Sequence, residues 1–386
     1  MQENTPGRHY LDWAATAIPD VPLKEDITVF GNPSSLHAEG RRAKDALENA
    51  RSRCAKVLGV PSERLSFTSG GTESNALVLH SFLQKKMKGD LLYSSIEHPS
   101  VRENCQVLER LGLTLSVIGV EKEGHVSERT LGKALEKKPD ARFAAVMAVN
   151  NETGALMDIK ALVSLLRRRE ADTKLPVHYH SDLVQAAGKV PLDLKTWDLD
   201  SASLSAHKLG GPRGIGLLYL KKNITPLYAG GGQEAGIRPG TENVSGALAL
   251  AEVLERRAAP ETVKMEGEKA AERFKYLIAE LKKMERCSLI PEEREAVDSR
   301  FSPWILQVRF RGVPGAVMVR ALDDLGIAIS TGSACSSASL ERPVLAAMGI
   351  DRTSQLEGVR ISQGWSTGKE DMDALLAAVE KVLSFL

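Results

Sequence analysis

Within the segment SLSAHKLGGPRGIG, residues 203–216, Lys208 ends an apolar strand pattern that gives way to Gly210, Gly211 and Pro212. A lysine directed into an enclosed site loses its proton readily and can form a Schiff base with a carbonyl. Ser205 and His207 stand beside it as candidate phosphate donors. Asp182 directly follows the strand-like run PVHYHS, which puts it at the carboxyl edge of a sheet, where ligands of open α/β folds gather. A carboxylate there can hold a proton on a cofactor nitrogen. In SFTSGGTESNAL, 66–77, Gly70 and Gly71 allow a tight turn between strand and helix. Thr72 then marks a helix start, whose unpaired N–H groups can hold a phosphate.

Free cysteines are usually buried and inert, which suits Cys54. Cys335 instead lies in STGSACSSAS, 330–339, among small polar residues that give exposure and mobility. Those properties suit a nucleophile that must travel. His98, in SIEHPSV, sits between a strand and a helix start, where a flat imidazole can stack on a planar cofactor or move protons. Arg360 opens a strand in GVRISQG, and its fork matches a carboxylate. Taken singly, each feature has a plainer reading: a helix cap, a surface aspartate, a solvated lysine, a core cysteine or histidine, a surface ion pair. The charged run 266–286 reads as a solvated helix face, and Trp13 and Trp197 as packing.

The elements that must position these residues alternate. Apolar runs at 64–69, 90–95, 114–119, 142–149, 176–181, 201–205 and 214–220 are separated early on by helical stretches such as 38–58, 74–87 and 159–170. That alternation predicts an α/β fold with a mostly parallel sheet covered on both faces. The last three runs follow closely enough for part of the sheet to be antiparallel. From about 247 to 286 a long charged helical stretch, broken at Pro260, leads to strands at 305–310 and 327–330 and helices at 314–325 and 371–385. These read as a second, smaller α/β unit.

A chain of 386 residues can bury a large core without staples. Its 51 basic and 50 acidic side chains balance to +1, which argues against DNA or an acidic membrane as the main partner. Four cysteines without two-residue spacing make neither a disulfide scaffold nor a zinc site. The start MQENTPGRHYLDW carries no apolar targeting run, and nothing approaches a membrane span, so a cytoplasmic protein is expected.

Together these segments resemble the cysteine desulfurases, pyridoxal-phosphate enzymes of the class-V aminotransferase superfamily with the aspartate-aminotransferase-like fold. The likeness runs from YLDWAAT at 10–16 to the final helices. It includes FGNPSSLHAEG at 30–40, FTSGGTES at 67–74, EHPSV at 97–101, VNNETG at 149–154, HSDLVQAAGKVPLD at 180–193, SAHKLGGPRGIG at 205–216, GGGQEAGIRPGTEN at 230–243 and STGSACSSASLE at 330–341. The last resembles the long-loop subgroup that includes general iron–sulfur assembly enzymes. The resemblance implies a large cofactor domain over 16–255, with 1–15 and 256–386 forming the small domain that carries the cysteine loop.

By the same resemblance, Lys208 would bind the cofactor covalently, Asp182 would face its ring nitrogen and His98 would stack on the ring. Gln185 would contact its phenolic oxygen. Asn151 would line the cofactor and substrate side. Gly71, Thr72, Ser205 and His207 would cradle its phosphate, and Thr241 would reach the phosphate in a second subunit, making a homodimer. Arg360 would bind the carboxylate of L-cysteine. Cys335 would take the sulfur and pass it to an acceptor such as an iron–sulfur scaffold or a tRNA-thiolation relay. Leu183-Val184, Pro239 and Trp365 depart from the common pattern, and the segment after the cysteine loop is one residue short. A selenocysteine lyase, another class-V lyase or aminotransferase, or a non-catalytic assembly partner are the alternatives.

Overall fold

A computed structural model describes residues 7–19, 29–84, 89–332 and 342–385. In chain order the strands are β1 (His9–Tyr10), β2 (Leu65–Thr68), β3 (Leu91–Ser94), β4 (Leu115–Ile118), β5 (Phe143–Ala145), β6 (His178–Asp182), β7 (Ser201–Ser205), β8 (Gly216–Leu220), β9 (Cys287–Leu289), β10 (Ile305–Phe310), β11 (Ile327–Ala328) and β12 (Gly358–Ser362). The helices are α1 (Ala38–Leu58), α2 (Gly71–Gln84), α3 (Pro99–Arg110), α4 (Glu128–Lys137), α5 (Ile159–Thr173), α6 (Leu194–Trp197), α7 (Val244–Ala258), α8 (Pro260–Leu281), α9 (Gly315–Asp324), α10 (Pro343–Ala347), α11 (Arg352–Glu357) and α12 (Lys369–Phe385).

Seven strands form one sheet in the order β2-β8-β7-β6-β5-β3-β4. β8 alone runs against its neighbours. Strands buried on both faces read as continuous apolar or small-residue runs, as β2, β7 and β8 do. One face is covered by α1, α5 and α7. In α1 the buried stripe Ala43, Leu47, Ala50, Cys54 and Leu58 follows helical spacing, and Gly59 ends the helix in the left-handed conformation. The other face packs Leu77, Phe82, Val101, Leu108 and Phe143 from α2, α3 and β5.

A second sheet, β12-β10-β9, is antiparallel and has its own apolar cluster, which includes Phe274, Leu306, Phe310, Ile361 and Val379. The N-terminal segment stitches the two sheets together. β1 pairs in parallel with β11, Ser362 N–H donates to Leu11 O, and Ala17 N–H donates to His207 O. Among the described residues no helix is long and apolar enough to cross a membrane.

Three expectations about the elements change. The run at 142–149 is a strand only over Phe143–Ala145, after which Val146 and Ala148 N–H follow the carbonyls of His180 and Asp182. Helix α2 starts at Gly71 rather than at Ser74, and Glu73 reaches back to accept from the Ser69 N–H. Arg360 lies in the middle of β12, opposite Gln307, not at its start.

Candidate active site

A cavity of about 670 Å³ opens at the carboxyl ends of the parallel strands. Gly71 and Thr72 reach it from the turn after β2, His98 from the end of β3, and Asn151 from the segment after β5. Asp182 ends β6 and Gln185 follows in the next turn. Ser205 ends β7, with His207 and Lys208 in the short 3-10 turn beyond it. Arg360 arrives from β12 of the other sheet. Thr241 is exposed and does not line this cavity. Cys335 lies outside the described residues, three positions after Gly332, which does line it.

One end of the cavity is built for an anion. The first N–H groups of α2 have no partners within the helix, and Thr72, Ser205 and His207 surround them. The glycines are required here. A Cβ on Gly71 would sit 2.6 Å from Cγ2 of Val184, so the unusual valine packs where a side chain would otherwise stand. A Cβ on Gly216 would sit 2.5 Å from the Cα of Gly70, so β8 passes directly beneath the turn. Burial pushes His207 down to about 4, with Lys208 and Arg213 adding to the effect, so the ring is neutral. Its Nδ1 lies 3.1 Å from Thr16 Oγ1.

At the centre, Lys208 Nζ donates to the carbonyls of Ala14 at 2.5 Å and Ala15 at 2.7 Å. The buried Asp182 accepts from Asn75 Nδ2 at 2.8 Å and from the Val184 N–H at 2.9 Å. Burial lowers the proton affinity of His98; Asp182 opposes that shift, and Lys208, Arg102 and Arg360 reinforce it. Gln185 donates to Ala14 O at 2.9 Å and accepts from the buried Lys189 at 3.2 Å. Burial, with Lys208 and Arg360 nearby, draws that lysine down to about 7.

At the far end, Arg360 Nη2 donates to Asp12 Oδ1 at 2.8 Å and Nη1 donates to Asn151 O at 2.8 Å. Its Nε is buried and has no partner among the described residues. Arg342 joins the residues before and after 333–341, donating to Thr331 O and pairing with Glu152 at 3.4 Å. Trp365 packs on Trp13 and Trp304, with the Arg257 guanidinium 4.3 Å from its ring.

Sequence reasoning missed Asp12, Asn75, Glu97, Ser100 and Lys189. Only Glu97 carried a local hint, as the neighbour of His98. It lines the cavity, its Oε1 accepts from Ser94 and from the Met147 N–H, and its Oε2 is buried without a partner among the described residues. Burial holds its carboxyl protonated up to about 8, against 4.5 for an ordinary glutamic acid. The folded state therefore keeps a proton that the unfolded chain releases. This contribution to stability is full below about pH 4.5 and is lost as pH rises towards about 8. Glu97→Gln should flatten that decline, read as urea midpoints at about pH 5 and about pH 8.

The profile of the aminotransferase class-V family matches residues 9–375. The chain belongs to this family. A cysteine desulfurase IscS of Dictyoglomus turgidum is 35% identical over 391 residues, covering 98% of this chain and 95% of the relative. A putative cysteine desulfurase IscS 1 of Bacillus subtilis is 34% identical, covering 98% of this chain and 99% of the relative. Among solved structures, a NifS-like protein superposes with a TM-score of 0.86 at 31% identity, covering 98% of this chain and all of the other. A structure described as SspA in complex with cysteine gives 0.75 at 27% identity, covering 92% and 98%.

Class-V aminotransferases use pyridoxal phosphate, and the residues of this cavity fit that group. The helix start with Thr72, Ser205 and a neutral His207 is a donor set for a phosphate. Asp182 already accepts two N–H groups yet faces the cavity, where it can accept a third from a ring nitrogen. Lys208 supplies the amine that an aldehyde needs.

Proposed function

We propose that this class-V enzyme is a cysteine desulfurase. L-Cysteine and the thiol of Cys335 give L-alanine and a persulfide on Cys335. The observation that carries the reading is one cavity holding a lysine amine, a carboxylate and a guanidinium with an N–H that has no partner among the described residues, its wall three residues in sequence from a cysteine.

Pyridoxal phosphate, when bound, supplies an aldehyde for an amine and a ring that withdraws electrons from the adjoining carbon. The chain's own residues do the rest. Lys208 holds the group and then, as a free amine, takes and returns the Cα proton. Asp182 keeps a proton on the ring nitrogen. His98, at the cavity wall, would face the ring and would move a proton on the sulfur side. Gln185 and Asn151 orient the polar edge, and Gly71, Thr72, Ser205 and His207 anchor the phosphate. Arg360 fixes the carboxylate of L-cysteine, so Arg360→Ala should raise KM about 10- to 100-fold, a loss expected for a charged hydrogen bond, in steady-state assays of alanine release.

The proposal extends to assembly. Thr241, exposed on the surface, reaches the phosphate of a second subunit, so the active unit is a homodimer. Residues 16–255 form the large domain, with 1–15 and 256–386 as the small one. The persulfide passes to an iron–sulfur scaffold or a tRNA-thiolation relay in the cytoplasm. Mass spectrometry of the protein after incubation with L-cysteine tests the central claim. One added sulfur on Cys335 with matching alanine is expected; alanine release with no sulfur on Cys335 overturns it.

A further inference from the structure

We infer that Asn75 is a positioning residue whose single amide sets the hydrogen-bond polarity of both His98 and Asp182. It is fully buried on α2 and has three partners. Its Nδ2 lies 2.8 Å from Asp182 Oδ2 and 2.8 Å from Ser100 Oγ, and its Oδ1 lies 2.8 Å from His180 Nε2. A carboxylate can only accept, so the amide nitrogen must face Asp182. That fixes everything downstream. The amide oxygen then accepts from His180, whose hydrogen is on Nε2 and whose Nδ1 accepts from the Ser201 hydroxyl at 2.8 Å. Burial pushes His180 down to about 3, consistent with a ring that carries one hydrogen.

The other arm leads to His98. Ser100 Oγ, which receives an amide hydrogen, lies 2.8 Å from His98 Nδ1 and directs its own hydrogen there, because that nitrogen already accepts a backbone N–H. The Ser100 backbone N–H points at the same nitrogen from 3.1 Å. Two donors leave no room for a hydrogen on Nδ1. The His98 proton therefore sits on Nε2, the nitrogen left for the cavity, and the doubly protonated ring is opposed. One amide thus presents a donor to the acid that must stay charged and, through a serine, a donor to the base that must stay neutral. Pairs of groups driven apart in this way divide acid and base roles between them.

The inference rests on the proposed placement of His98 and Asp182 against the cofactor. Its test reads ring nitrogens rather than turnover, so a different substrate would leave it standing. The experiment is 15N NMR of histidine-labelled holoenzyme across pH, for wild type, Asn75→Ala, Ser100→Ala and the double variant. Wild type should show His98 with its hydrogen on Nε2. In Asn75→Ala the Ser100 hydroxyl is released to turn and accept from a charged ring, and His98 should bind a proton about tenfold more tightly. Ser100→Ala should move it the same way, and the double variant no further, because both act through one hydroxyl. The surrounding charges of Asp182, Lys208, Arg102 and Arg360 are untouched in all three variants. A hydrogen on Nδ1 of His98 in wild type overturns the inference without any variant. A folded Asn75→Ala or Ser100→Ala holoenzyme with the wild-type His98 titration also overturns it.

Discussion

Lys208→Ala retains the fold and loses turnover of L-cysteine by at least about 10⁴-fold, the scale of removing a nucleophilic amine that also serves as the proton carrier. The side chain contributes little to the core. Its amine rests on the carbonyls of Ala14 and Ala15 at the cavity wall, and alanine leaves those two acceptors to water. The wild-type protein, reduced with borohydride and digested, should carry the cofactor on the peptide containing residue 208, and the variant should carry none. A competitor stands nearby. Lys189 is buried beside the same wall with its proton affinity drawn down to about 7, which makes it nucleophilic near neutral pH. Its Nζ is directed to Gln185, however. Cofactor fixed on Lys189 in the wild-type protein would overturn the assignment.

Cys335→Ala separates the two halves of the reaction. Cofactor binding and the spectral response to L-cysteine should persist, because every described residue that lines the cavity is kept. Persulfide formation should vanish and alanine release should fall by about 10³-fold or more, the scale of losing a nucleophile. No other cysteine can substitute. Cys54, Cys105 and Cys287 are all buried. Burial pushes the Cys54 and Cys287 thiols up to about 12 and raises Cys105 as well, so none offers a thiolate at neutral pH. Persulfide on any of these three at wild-type yield would sink the prediction.

What the sequence revealed and what it hid follow from distance along the chain. Asp182 and Lys208 were legible because each ends a short apolar run before turn-forming residues, a local signal. The span of α1 was legible as a helical stretch over 38–58. Helix α4 was missed because its cap pairs Ser127 with Thr130 rather than with the usual glutamate or glutamine. The contacts that tune the site left no local mark. Asp12 meets Arg360 across 348 residues, and Asn75 meets Asp182 across 107. A polar pair so far apart becomes visible only once the sheet has brought its members together. β1 and β9 were missed because each is two or three residues long and is defined by its partner strand.

The stitching of the N-terminal segment into both sheets bears on biosynthesis. The carbonyls that hold Lys208 belong to Ala14 and Ala15, and Ala14 is itself fixed through Ser362, 348 residues later in the chain. A growing polypeptide folds its early portions as they leave the ribosome, yet here residue 14 must wait for residue 362 before its place exists. Loading with the vitamin-derived group thus follows synthesis of the segment around residue 362, and a chain truncated before it would emerge colourless.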